Sequence, residues 1–416
     1  MLHGPALPPG FRHSDGSSEE AAAVGGRGGR EQEVGSLDPR QTGIGASAAP
    51  GPSLPAGVSS DPLARAVPSR LAASFSVPGG AALAAAYSTT GRHVAVGGTD
   101  GVVRIYSPLS SLLVRELFGL SSGDSAGVRA VAVRPDGAEV AAGGGDGTAL
   151  LLDVEAGRVS RRFPAAHRGG VASVSYAATA DRGGGGGAGG GGARGPRRGS
   201  GSGPGAAPAG SPSPPVLLTS GADGTVKLWD LRSRSRDPIQ TLGPFGDGAT
   251  DAQLVDPLGR LGGPSILATS LDGALRSFDV RAGREVVDWP RGPSGPPLTS
   301  LDVSGDSRLV ALASGDSTVL VLSRLEGALL AELVAPGEHA HESLHQRCAI
   351  SRDGTVVVGA SETGRVTFWS VESGRVLASA QATERGPCCA LALAPDDGQL
   401  VAGGLDGEVR VFLKDG

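Results

Sequence analysis

The sequence predicts an all-β fold, a seven-bladed β-propeller, and three observations carry that reading. One phrase recurs seven times: a short apolar run, a turn that is Asp-Gly in five of the copies, and a second apolar run. Its fullest copy is Thr219-Ser220-Gly221-Ala222-Asp223-Gly224-Thr225-Val226-Lys227-Leu228-Trp229-Asp230. An Asp-Gly pair between two β-type runs is a strong hairpin signal, because glycine takes φ > 0 at no steric cost. The turn positions Asp100, Asp146, Asp223, Asp272, Asp316, Thr363 and Asp406 are spaced by 43–49 residues, apart from one step of 77. Finally, each unit offers four strand-like runs except the last, which offers three.

A period of ~40–45 residues with a Trp-Asp close marks WD40 blades. The first complete unit, 81–118, has strands expected at 82–87, 93–98, 102–107 and 112–118, and the run Arg70–Phe75 precedes it. The spare strand at the start and the missing one at the end predict that the N-terminal strand forms the outer edge of the last blade. That arrangement closes the ring non-covalently and leaves only short blade edges. Later units repeat the order, for example near 171–176, 215–220, 225–231 and 238–242 in the third. Many runs are apolar on both faces, as expected for sheets packed between neighbours.

The organisation expected is therefore an arm over 1–68 and a propeller over 69–416. The arm is rich in Gly, Ala, Pro and Ser, so it buries too little surface to offset its ordering entropy and is expected to be disordered. Its GGRGGR string at 25–30 reads as part of a soluble tail. The long step comes from a Gly/Ser/Pro-rich loop at 181–214, between the first and second strands of the third unit. Such a loop costs little closure entropy and emerges at the end of the blade opposite the Asp-Gly turns. Its Arg182, Arg194, Arg197 and Arg198 read as solvated linker charge.

Composition narrows the function. With 37 basic and 42 acidic residues the formal net charge is −5, so no direct nucleic-acid binding by the propeller is expected. No apolar run reaches the ~18–20 residues of a membrane span, and the first residues lack a charged region followed by an apolar one. Three cysteines, Cys348, Cys388 and Cys389, do not make a disulfide framework. Cytoplasm or nucleus is the address expected, with a monomeric propeller acting inside larger protein complexes.

No residue pattern asks for catalysis or a cofactor. The turn aspartates read as local backbone stabilisers. His167, Ser220, Asp223 and Trp229 read as a buried hydrogen-bond tetrad, with the serine as a relay and not a nucleophile. His339, His341 and His345 have loose metal-ligand spacing, but no cysteine or carboxylate set completes a site, so no metal is expected. Adjacent Cys388 and Cys389 read as small core residues. Candidate partner-binding residues are Arg129, Arg168, Asp251, Arg347 and Arg385, near the starts of first strands on the face that bears the Asp-Gly turns.

Two resemblances sharpen this picture. Trp229-Asp230-Leu231-Arg232 resembles the WD-x-R box through which cullin-4 ubiquitin-ligase substrate receptors dock their adaptor, and Phe278-Asp279-Val280-Arg281 is a weaker echo. Several phrases are similar to the mitogen-activated protein kinase organizer family of WD40 scaffolds: GGGDGTALLLDVEAGRVSRRF at 143–163, SGADGTVKLWDLRSRSRDPIQTL at 220–242, SLDGALRSFDVRAG at 270–283, SGDSTVLVLSRLEGALLAEL at 314–333 and GRVTFWSVESG at 364–374. That resemblance implies a non-catalytic scaffold for MAP-kinase cascade components, in a family also associated with the spliceosome. The arm, the glycine loop, Leu322-Ser323 in place of Leu-Asp, and Thr363 in place of a turn aspartate depart from the pattern.

Overall fold

The computed structural model describes residues 62–78, 80–120, 127–176, 216–255, 263–280, 284–288, 290–292, 295–341 and 346–414. They form seven antiparallel sheets of four strands each. Counting blades in chain order, their innermost strands are Ala82–Tyr87, Val128–Val133, Val171–Tyr176, Ala249–Val255, Leu298–Val303, Cys348–Ile350 and Cys388–Leu393. Each innermost strand touches the next, and the seventh touches the first, so the ring is closed.

Closure is made by the strand Pro68–Ser76, which pairs with Glu408–Lys414 as the outer strand of blade 7, from Pro68↔Lys414 to Ser76↔Glu408. The described structure includes residues ahead of the expected boundary at residue 69. A short 3-10 turn, Pro62–Arg65, precedes the closing strand, and Val67 is almost fully buried against blades 6 and 7. Two apolar side chains, Leu63 and Val67, supply the burial that fixes this stretch. The remainder of the predicted arm, 1–61, and the whole 181–214 loop lie outside the described residues.

Burial falls from the middle of each blade to its rim. The second strand of blade 1, Val94–Gly98, is buried throughout, whereas its outer strand, Leu112–Phe118, is mostly exposed. Inner strands are covered on both faces by neighbouring blades, so both parities must be apolar or small, and only the outer strand meets water. Six Asp-Gly or Thr-Gly turns place the glycine at φ of 68–84°, and in blade 5 Ser317 takes that place at φ 66°. A β-bulge follows the first residue of the innermost strand in six blades, for example between Val128 and Ala130 and between Val171 and Ser173. The bulge turns the intervening side chain, Arg129 in blade 2, out of the ladder.

Candidate protein-interaction surface

The strand order divides the propeller into two ends. Second-to-third turns and blade-to-blade links meet at one end; first-to-second and third-to-outer loops meet at the far end. On the first of these ends the turn aspartates act on their own backbone. Asp100, Asp146, Asp223, Asp272 and Asp406 each accept the amide two residues on, at 2.9–3.2 Å, and Asp316 accepts the Thr318 hydroxyl at 2.6 Å. Several also hold the preceding link: Asp223 Oδ2 accepts the Arg168 amide at 3.0 Å, and Asp406 Oδ2 accepts those of Glu384 and Arg385. In blades 1 and 4 an arginine four residues on, Arg104 or Arg276, pairs with the turn aspartate at 2.6 Å from a nearly buried position.

Blade 3 carries a full relay. His167 reaches Asp223 Oδ1 through Nδ1 and Thr219 Oγ1 through Nε2, both at 2.8 Å, and Trp229 Nε1 donates to the same Thr219 oxygen at 3.0 Å. The hydroxyl in this relay belongs to Thr219, which corrects the assignment of Ser220. Successive strand residues face opposite ways. Leu217, Thr219 and Trp229 look toward blade 2, and Leu218 and Ser220 look toward blade 4. Ser220 Oγ is buried without a hydrogen-bond partner among the described residues. Burial lowers the His167 pKa against the pull of Asp223. Burial would raise Asp223, but Thr225, His167 and the Arg168 amide outweigh it and hold the carboxyl at about 2. The serine-histidine-aspartate count thus resolves into an internal tie with no exposed nucleophile.

The five candidate partner residues separate into two sets. Arg168 and Arg385 are exposed on the links, and Arg129 is half-buried at its bulge. Asp251 and Arg347 instead bind each other, which corrects their assignment as partner contacts. Arg347 Nη1 lies 3.0 Å from Asp251 Oδ2, and Nη2 donates to the Ala172 carbonyl at 3.1 Å, so one side chain from blade 6 ties blades 3 and 4. Asp251 is 5% exposed, too deep to meet a partner. It also accepts the Leu301 amide of blade 5 at 3.2 Å. Similar ties run from Ser173 to the Ala252 amide and from Asp302 to the Ile350 amide. An innermost strand has one edge with no partner strand, and side chains of the neighbouring blade satisfy its orphaned amides.

On the far end, Trp229 of the WD-x-R box is buried against Phe163, with ring centroids 4.7 Å apart. The Asp230 carboxylate accepts the Arg232 amide at 2.9 Å, and the Arg232 side chain is 64% exposed. Arg161, stacked over Phe163, donates to the Asp230 carbonyl at 3.1 Å. Val216, where the described chain resumes, pairs directly with Asp230. In the weaker echo Phe278 is buried, and Arg281 lies outside the described residues.

His339 sits in the link from blade 5 to blade 6 and His341 bonds the Thr299 hydroxyl at 3.1 Å; His345 lies outside the described residues. Among the described residues no three His, Cys, Asp or Glu side chains converge on a point where a metal would bind. All three cysteines are buried and free. Burial pushes the Cys389 thiol up to about 11 and raises Cys348 and Cys388 as well, so none is a ready nucleophile. No helix of the described residues is long and apolar enough to cross a membrane.

A closed ring of seven four-stranded blades, with turn aspartates and, among the described residues, one complete His-Asp-Thr-Trp relay, defines a WD40-repeat propeller. Such propellers are typically non-catalytic and serve as protein-interaction scaffolds. Residues 72–107, 115–153 and 209–230 match the model of the WD domain, G-beta repeat. The chain is 34% identical over 143 residues to WD repeat domain-containing protein 83 of Rattus norvegicus, covering 34% of this chain and 41% of that protein. It is 30% identical over 142 residues to the Homo sapiens protein of the same name, again covering 34% and 41%. The match therefore spans about two fifths of the length of these relatives. The guanine nucleotide-binding protein subunit beta of Nicotiana tabacum is 25% identical over 296 residues, 68% of each chain.

Proposed function

We propose that this WD40 propeller is a scaffold for MAP-kinase cascade components or spliceosomal proteins, acting in the cytoplasm or nucleus without catalysing a reaction itself. The observation that carries the reading is the set of phrases shared with the organizer family, together with the similarity to WD repeat domain-containing protein 83, which stands for that family. The geometry supports an assembly role: the hydroxyls, imidazole and carboxylate that would suit chemistry are spent inside the blades, while Arg168 and Arg385 remain exposed on the link face. Protein partners are the class such a face fits.

A second reading, docking to a cullin-4 ligase adaptor, is favoured by one observation. Arg232 stands out from the far end, its backbone held by Asp230. Native affinity purification with mass spectrometry on wild type and Arg232→Ala separates the two. Kinases or splicing factors recovered equally from both support the scaffold; an adaptor lost only from the variant moves the ligase reading to first place.

A further inference from the structure

The far end of the ring holds two seats of the same construction, one filled by the chain itself and one open. At the seam of blades 6 and 7, Leu63 and Val67 lie over a floor of Val358, Phe368 and Leu393, leaving a residual hollow of about 70 Å³. The seam of blades 1 and 2 has the same floor positions, occupied by Ala95, Ile105 and Val133, and opens a cleft of about 250 Å³.

The equivalence is set by strand register, Tyr87↔Val94 in blade 1 matching Ile350↔Val357 in blade 6. The flanking turns match as well. Ser88 Oγ accepts the His93 amide at 3.2 Å as Ser351 Oγ accepts the Val356 amide at 2.9 Å. Gly91 and Gly354 take φ of 69° and 76° in the same place. The difference is side-chain size. Alanine for valine and isoleucine for phenylalanine deepen the seat between blades 1 and 2. Its volume exceeds the roughly 150 Å³ of an apolar cavity that takes up benzene.

We propose that this seat docks a short apolar segment of a protein partner, one that presents leucine and valine four residues apart. The molecule supplies the precedent, since its own Leu63 and Val67 are the ligand that the matching seat accepts. Among the described residues, those lining the open seat belong to blades 1 and 2. At its rim Thr89 donates to the Pro135 carbonyl, and Ser88 and Thr90 bond each other. That leaves the exposed His93 imidazole and the hydroxyl lone pairs of Thr89 and Thr90 to meet a peptide backbone, with apolar side chains beneath. A partner anchored there would approach from the end opposite the Asp-Gly turns, leaving the link face free for other components of an assembly.

The test uses the full chain and a synthetic peptide of residues 61–69, Asp-Pro-Leu-Ala-Arg-Ala-Val-Pro-Ser, with photo-leucine at the Leu63 place. Cross-links are mapped by mass spectrometry and affinity is read by fluorescence anisotropy. The expected result is cross-linking to 88–95 and 133–140, with binding weakened about tenfold or more by Ala95→Leu, which fills the floor. The surface variant His93→Asp should weaken binding independently, which guards against misfolding of the first variant. Cross-links confined to 351–358, showing only exchange with the chain's own segment, would overturn the proposal. So would no saturable binding, or self-association of the chain that Ala95→Leu abolishes.

Discussion

Blades 3 and 6 are built on one plan and differ at two positions beside the link histidine. Both close on tryptophan, Trp229 and Trp369, and both place a histidine in the preceding link, His167 and His339. Blade 3 puts Thr219 and Asp223 on either side of its histidine; the register places Gly359 and Thr363 at those positions in blade 6. Without the hydroxyl and the carboxylate, His339 has no hydrogen bond at either ring nitrogen among the described residues, although it is almost fully buried. The indole turns elsewhere, Trp369 Nε1 donating to the Val334 carbonyl at 3.2 Å, and the imidazole packs edge-on against it at 5.1 Å. A Cβ on Gly359 would stand 3.1 Å from both rings, so glycine is what lets them close over the gap. The link is then held by hydroxyls: Ser361 Oγ accepts the Ala340 amide at 2.9 Å, and Thr363 donates to the Glu338 carbonyl at 3.1 Å. A blade therefore needs its link tied down and its interior filled, and polar relay or aromatic packing will each do so. Only the relay pairs both ring nitrogens of its histidine.

The largest expected break in this comparison is Thr219→Val in blade 3. It keeps the volume but leaves His167 Nε2 and Trp229 Nε1 unpaired in the core, costing about 3 kcal/mol by urea unfolding. A loss under ~1 kcal/mol would show that the relay is incidental.

Next is pH. Burial, reinforced by His341, lowers His339 to about 4. Its folded pKa lies below the ~6.5 of an unfolded histidine, so the unfolded chain takes up the proton first. The contribution is complete above about pH 6.5 and is lost as pH falls toward 4. Between pH 7 and pH 5 it amounts to about 2 kcal/mol. The difference between wild type and His339→Leu, measured by unfolding across that range, isolates it, and parallel profiles would remove His339 as the source. Blade 3 adds a drop of the same sign, because His167 is also lowered.

The tie between the two blades comes third. Arg347→Met strips the counter-charge from buried Asp251 and the donor from Ala172, at a cost of about 2 kcal/mol after discounting for the partial exposure of the arginine. Thermal unfolding should show the loss recovered in part by Asp251→Asn in the same chain, a coupling that independent sites lack. At pH 7, His339→Leu should stabilise by about 1 kcal/mol, since it removes two unpaired polar atoms from an apolar niche. Smallest is Ser220→Ala, within ~0.5 kcal/mol of wild type because the Ser220 hydroxyl has no partner to lose among the described residues. A large cost there would return Ser220 to the relay.

The ring itself was legible. Turns at one period in all but one step, four strand-like runs in all but the last unit and a spare strand at the start are local features, and local propensity with hydrophobic alternation carries them. The turn aspartates and the burial of Cys388 and Cys389 followed from the same reasoning. Thr219 was within reach too: the parity that puts Trp229 toward blade 2 puts Thr219 there and Ser220 away. Asp251 and Arg347 were not, because they stand 96 residues apart and meet only after the ring closes. Sequence marked both as charge near a first strand, and only the tertiary structure decided that the charge points inward. The open seat between blades 1 and 2 is of the same kind. Ala95 and Ile105 are ordinary strand residues until two blades are packed and the space they leave is set beside the seat that Leu63 and Val67 fill. Periodicity is written along the chain and survives reading one unit at a time. Which side chains meet across a seam or a channel depends on distances between units, which no single repeat contains.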